Sequence, residues 1–237
     1  MRTTTSPLVA LLAALAWAGD GVAGTLEVSV VDEQGKPLAD VAVYATSRDP
    51  WRSPKGGAAD RSATAPDAPA AAERASTAIM DQQNHQFVPH LLVVRTGTAV
   101  MFPNSDNVSH HVYSFSPTKP FELGLYKGDA YPPVVFDKPG VVVVGCNIHD
   151  NMLGYIRVVD TPHFAVTNEQ GVALLDGVPS GNYAVEVWTP RVRPEALPAA
   201  LHVAVANNGS AAAEIRITGR LAPAHAHGGS SLTWDRY

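Results

Sequence analysis

The sequence predicts an all-β protein. Beyond residue 24 no stretch carries the 3.6-residue apolar period of a helix, short runs alternate apolar with polar residues, and Gly, Pro, Asn and Asp punctuate those runs at close intervals.

Taken in order, the first segment is MRTTTSPLVALLAALAWAGDGVAG, with one Arg near its start, an apolar run from Leu8 to Ala18 and small residues after it. This is the pattern of an export signal over residues 1–24, with cleavage after Ala18, Ala23 or Gly24 equally compatible. Its apolar run is about half of the roughly 20 residues that cross a bilayer. Later stretches are no longer without a charge or a Pro/Gly break, so a periplasmic or secreted protein with no membrane span is expected. No cysteine near the cleavage region offers a lipid anchor.

Residues 25–46, TLEVSVVDEQGKPLADVAVYAT, alternate with period 2 on both sides of a DEQGKP turn and predict a β-hairpin. Residues 47–79 are rich in Ala, Pro, Ser and Gly, have no usable period and predict an exposed mobile loop. From 80 to 160 strands resume: Leu91–Val94 and AVMFPN flank a turn at Thr96–Thr98, VSHHVYSFS follows, and VVVVG and LGYIRVVD bracket the stretch CNIHDNM. Residues 161–219 are again short alternating strands, and 220–237 read as a disordered tail. Its PAHAHGG is taken as a solvated end, and Tyr183 and Trp188 are expected to fill a core.

Composition narrows the function classes. The formal charge of -5 is unchanged when Arg2 and Asp20 leave with the signal, and no basic patch for nucleic acid or acidic run is present. The mature chain of about 210 residues suits one large or two small domains. No Ser/His/Asp order, phosphate loop or isolated carboxylate pair marks a catalytic centre. Cys146 is the only cysteine, so in an exported chain it cannot pair within the molecule and needs another use.

That use is suggested by its neighbours, His149 and Met152, both soft-metal ligands on the same short stretch. On a continuous strand residues three apart face opposite sides, but Gly145, Asp150, Asn151 and Gly154 permit a tight loop that gathers all three side chains. A further ligand must come from NSDNVSHHVYSF, where His110 and His111, being adjacent on a strand, cannot both reach one ion. A thiolate, two imidazoles and a thioether favour copper in a one-electron site; zinc accepts the first three but Met poorly. A c-type haem would need CxxCH and a two-copper centre a second Cys, and neither is present.

The segment from Phe102 through Asn104 to His110 and His111, followed by CxxHxxM at Cys146 to Met152, resembles the copper site of cupredoxins of the plastocyanin and amicyanin type. CNIHDNMLGYIRVVDTP with HHVYSFS is similar to bacterial cupredoxin-like proteins labelled for methylamine utilisation. The resemblance covers about residues 80–160. It implies a Greek-key β-sandwich holding one copper ion through His110, Cys146, His149 and Met152, with Asn104, Asn147 and His111 as supporting or alternative residues. It implies electron transfer rather than enzymatic turnover, with His149 as the portal beside an apolar patch that Leu153 and Tyr155 help form. The implied partner is a redox protein, a cytochrome or dehydrogenase, met by transient contact. Two departures stand out: His111 occupies the place where such proteins usually carry Asn, and Asp150 follows His149 where amicyanin-like sites often carry Pro.

The flanks, VSVVDEQGKPLADVAVYA and AVTNEQGVALLDGVPSGNYAVEVW, resemble carboxypeptidase-regulatory or transthyretin-like sandwiches. In those modules the two pieces are nearly contiguous, so the copper segment is expected to be inserted into a split host sandwich formed by 25–46 plus 161–219. The rival expectation for function is a periplasmic copper carrier or sensor in which the ion is cargo or structural. His111 is expected to make a structural hydrogen bond, and His85 and His90 to have surface or core roles.

Overall fold

A computed structural model describes residues 24–49, 76–129, 131–206 and 209–223. The expected signal peptide up to residue 23, most of the Ala/Pro-rich loop, and His225 and His227 of the expected tail lie outside the described residues. Among the described residues there is no α-helix, only a 3-10 turn at Pro194–Ala196.

The chain starts with β1 (Gly24–Val31) and β2 (Ala42–Ser47). The middle supplies β3 (Thr77–Ile79), β4 (Asp81–Gln83), β5 (Gln86–Val88), β6 (Leu91–Arg95), β7 (Thr98–Met101) and β8 (His110–Ser114). It continues with β9 (Phe121–Tyr126), β10 (Val134–Phe136), β11 (Gly140–Gly145) and β12 (Leu153–Val159). The last part adds β13 (His163–Val166), β14 (Val172–Val178), β15 (Gly181–Trp188), β16 (Leu201–Val205) and β17 (Ala211–Arg216).

These strands form two layered cores. Sheets β14-β1-β17 and β13-β2-β15-β16 enclose Leu26, Val28, Val30, Val43, Leu175, Tyr183, Val185 and Ile217. Sheets β10-β7-β3 and β6-β12-β11-β8-β9 enclose Phe87, Val100, Phe102, Phe136, Val142, Val144 and Ile156, with Cys146 and Met152 in the same cluster. Each of these buried apolar side chains contributes about 1.5–3 kcal/mol relative to exposure, which makes the inner faces the main source of stability.

The expected hairpin over 25–46 does not form. The DEQGKP turn closes on the end of β1, with Leu38 N–H donating to the Val30 carbonyl (2.9 Å), but β1 pairs with β14 and β17 whereas β2 pairs with β13 and β15, so the chain arches from one sheet to the other between Leu38 and Ala42. A period-2 pattern fixes which face of a strand is buried but not which strand lies beside it. Here both strands present Val residues to one core from opposite layers. The strands β6 and β7, expected on either side of a Thr96–Thr98 turn, behave the same way: β6 joins β12 and β7 joins β10 and β3. Thr167 clasps the first arch, its hydroxyl accepting from the Val41 N–H (3.0 Å) and donating to the Leu38 carbonyl (2.7 Å).

The two cores meet along β2, whose Ala42 and Tyr44 turn away from Val43 and pack with Leu91, Val93 and Val159. Across this join Arg157 donates to the Tyr44 hydroxyl (2.7 Å) and lies 5.0 Å from the centre of its ring. Trp188 belongs here rather than in the first core: it is half-buried beside Tyr155, ring centres 5.8 Å apart. Tyr155 is accordingly part of the join. The expected loop is structured at its edges, with the Arg48 N–H donating to Asn182 and β3 running parallel to β7. The start of the expected tail is tied down by paired backbone and side-chain contacts between Arg191 and Ala222.

Candidate metal centre

Strand alternation decides between the adjacent histidines. On β8 the side chains of His110, Val112 and Ser114 are buried, while His111 and Tyr113 face the other way. His110 is fully buried; His111 instead engages Glu122 of β9, Nε2 to Oε1 2.9 Å, the structural role expected of it.

The stretch Cys146–Met152 links antiparallel neighbours β11 and β12 and is closed by two backbone bonds, Cys146 N–H to the Met152 carbonyl (3.2 Å) and Met152 N–H to the His149 carbonyl (3.0 Å). Glycines at either end let it sit close to its surroundings. A Cβ at Gly145 would stand 3.2 Å from the Tyr113 ring, and one at Gly154 would come within 2.8 Å of Phe87.

This loop brings three donors together. The Cys146 Sγ lies 3.7 Å from His110 Nδ1 and 3.6 Å from His149 Nδ1, and the two nitrogens are 3.1 Å apart. From one ion, bonds of about 2.0 Å to nitrogen and about 2.3 Å to sulfur at angles of about 100–120° span edges of about 3.1–3.5 Å between nitrogens and about 3.3–3.7 Å between sulfur and nitrogen. The triangle therefore has the dimensions of a shared metal. Cys146 is a buried free thiol, His110 is buried and His149 is partly exposed. Met152, 2% exposed, lies in the same core cluster as Cys146. A thiolate and two imidazoles with a nearby thioether suit copper, whose soft form prefers sulfur.

The side chain of Asp106 anchors the buried histidine. One oxygen is 2.7 Å from His110 Nε2 and 2.9 Å from the His85 N–H, while the other accepts from the Asn84 N–H at 2.6 Å. Burial alone works to raise the Asp106 pKa, but these bonds outweigh it and hold the carboxyl below its ordinary range. A carboxylate on Nε2 fixes the ring with Nδ1 towards the triangle. Burial, reinforced by the neighbouring His85 and His110 and opposed by Asp106, holds the His149 pKa below the usual imidazole value. That favours the neutral ring a metal requires.

Asn104 supports the segment that carries Asp106. Buried, it donates to the Val108 and Tyr126 carbonyls at 3.0 and 2.9 Å and accepts from the Asp106 N–H at 3.0 Å. Behind it the Tyr126 hydroxyl donates to the Phe102 carbonyl (2.5 Å) and accepts from Gln82 (2.6 Å); burial pushes the Tyr126 pKa up to about 12. Asn147 is exposed on the loop. His90 is buried with Nδ1 3.1 Å from the Leu153 carbonyl, a core role. His85 is exposed, yet its ring stands edge-on against His149 at 4.5 Å and His110 at 5.6 Å.

Sequence reasoning passed over Asp106 and the position of His85. Asp106 lies on an aperiodic polar loop, and nothing in the sequence says what Asn84 and His85 face.

No protein-family model matches this sequence, and no curated protein matches it. Among solved structures the chain is similar to the copper-containing nitrite reductase NirK of Thermus scotoductus SA-01, at 26% identity and TM-score 0.33, over 35% of this chain and 22% of that one. It is similar to a purple cupredoxin from Nitrosopumilus maritimus, at 23% identity and TM-score 0.31, over 35% of this chain and 99% of that one. A reduced mutant form of amicyanin gives 19% identity and TM-score 0.32, over 34% of this chain and 80% of that one. This chain thus spans about a fifth of the nitrite reductase.

Proposed function

We propose that this chain is an exported cupredoxin-type electron carrier with one copper ion held by His110, Cys146, His149 and Met152. The single observation that carries the reading is the triangle of one buried thiol and two imidazole nitrogens with edges of 3.1, 3.6 and 3.7 Å. Copper supplies one-electron chemistry in such a donor set.

The chain's own residues do the rest. Cys146 and His110, on a closed loop and a core strand, keep water from two of the donors, and Asp106 fixes the orientation of the second. Met152 supplies the fourth, weaker position, so no place is left for a substrate and the protein is a carrier rather than an enzyme. His149, partly exposed beside the exposed Ile148 and Leu153, is the edge through which electrons pass. A redox partner in the periplasm or outside the cell would meet this edge in a small transient contact.

The test is optical. Purified protein given one equivalent of Cu(II) is expected to develop an intense visible thiolate-to-copper band that Cys146→Ser abolishes and that reversible one-electron reduction bleaches. A colourless copper-loaded protein defeats the site, and slow electron exchange with ready delivery of copper to an apo-acceptor assigns the ion as cargo.

A further inference from the structure

We propose that His85 is a copper-capture residue: with His149 it forms an outer two-imidazole station that takes copper from solution and passes it to Cys146 and His110. The inference rests on the copper reading above and adds a site to it.

The four inner donors are not equally reachable. Cys146, His110 and Met152 are buried, whereas His149 is partly exposed and His85 is exposed. The ring of His85 is 4.5 Å from that of His149 and 5.6 Å from that of His110, and His110 and His149 are 4.8 Å apart. Two imidazoles on one ion, with bonds of about 2.0 Å, have ring centres about 4.5–5.5 Å apart for angles of about 90–120°. Nevertheless His85 is not one of the three residues whose donor atoms converge. Its spacing suits an ion held at the rim with His149.

The backbone is built to hold it there. Asn84 and His85 form the two-residue turn between β4 and β5, with φ of +52° and +59°. Such a turn favours Asn followed by Gly, because the second residue is left-handed. Histidine visits that region more often than most side chains, so the position is uncommon without being an outlier. It is kept by Asp106, whose carboxylate binds the N–H groups of Asn84 and His85 and the ring of His110. One side chain thus ties the hairpin tip, and with it the exposed His85 imidazole, to the buried His110.

The hand-over is ligand exchange with no change of oxidation state. The bond from the ion to the His85 nitrogen and one to a water break as the bonds to Cys146 Sγ and His110 Nδ1 form, the thiol proton and the water go to solvent, and His149 stays bound throughout.

Stopped-flow mixing of the apo full-length protein with Cu(II) in a weakly coordinating buffer, following the thiolate-to-copper band, tests this. His85→Gly suits the turn and removes the imidazole; His85→Asn is a second variant that tolerates the same backbone. Both are expected to fill at least tenfold more slowly and reach the parent's final spectrum, while His111→Ala, which removes an imidazole facing Glu122, fills at the parent rate. Filling of the His85 variants within twofold of the parent overturns the proposal, as does equal slowing in His111→Ala. A displaced final band also overturns it, by making His85 a resident ligand. Absence of the band in the parent overturns the copper reading itself, an outcome distinct from a parent that colours at the same rate as its variants.

Discussion

Replacing Asp106 with Asn probes how much of the metal site lies outside its ligands. The carboxylate is 11% exposed and accepts three hydrogen bonds, from the ring of His110 and the N–H groups of Asn84 and His85. The amide keeps one acceptor oxygen and turns an NH2 towards a donor, so at least one of these bonds becomes a donor facing a donor. A hydrogen bond to a charged group is worth about 1.5–3 kcal/mol, and loss of the partner of a ligating histidine typically costs about 10–100-fold in metal affinity. The two estimates overlap at about 1.5–2.7 kcal/mol, roughly 10- to 100-fold weaker copper binding. Competition for Cu(I) against a chromophoric chelator measures this, and the melting temperature of the apo protein reports any loosening of the hairpin. The visible band of the copper-loaded variant is expected to keep its position, because the ligands are unchanged. An Asp106→Asn protein that folds and binds copper within about twofold of the parent would refute the reasoning.

Two further outcomes follow from the frame around the site. Thr167→Val keeps the shape of the side chain but strands the buried Val41 N–H and Leu38 carbonyl at the arch between β1 and β2; about 2–6 kcal/mol of stability should be lost in a denaturant titration at about 1–3 kcal/mol for each unsatisfied group. The Tyr126 pKa, raised by burial to about 12, means that the folded phenol stays protonated while an unfolded one ionises above about 10. The folded state then holds more protons in that window, so stability present below about pH 10 falls as pH rises towards about 12, and Tyr126→Phe is expected to make that alkaline decline shallower in pH-dependent melts.

Much of the protein was legible in its residues. The all-β class, the pair of strands around CNIHDNM and the opposite facing of His110 and His111 all follow from period 2, because a strand's alternation is a local property. The grouping of Cys146 with His149 was readable for a related reason: three residues on a short loop bounded by glycines have few ways to avoid one another.

What could not be read was adjacency. The pattern in 25–46 specified inward faces and was silent on whether β2 lay beside β1 or across the core from it. It was equally silent on β2 having a second buried face, where Ala42 and Tyr44 meet the other core and draw Trp188 to the join. Asp106 and His85 were invisible at the site for the same reason, since their relation to His110 and His149 arises only when the hairpin β4-β5 folds over a loop some twenty residues later in the chain. Sequence by itself determined the candidate donors and the faces of the strands that carry them, through periodicity and the chemistry of the side chains. Tertiary structure decided which strands are neighbours, which carboxylate holds the buried imidazole and which histidine stands beside His149, because those are relations between segments whose separation along the chain carries no information about their distance in space.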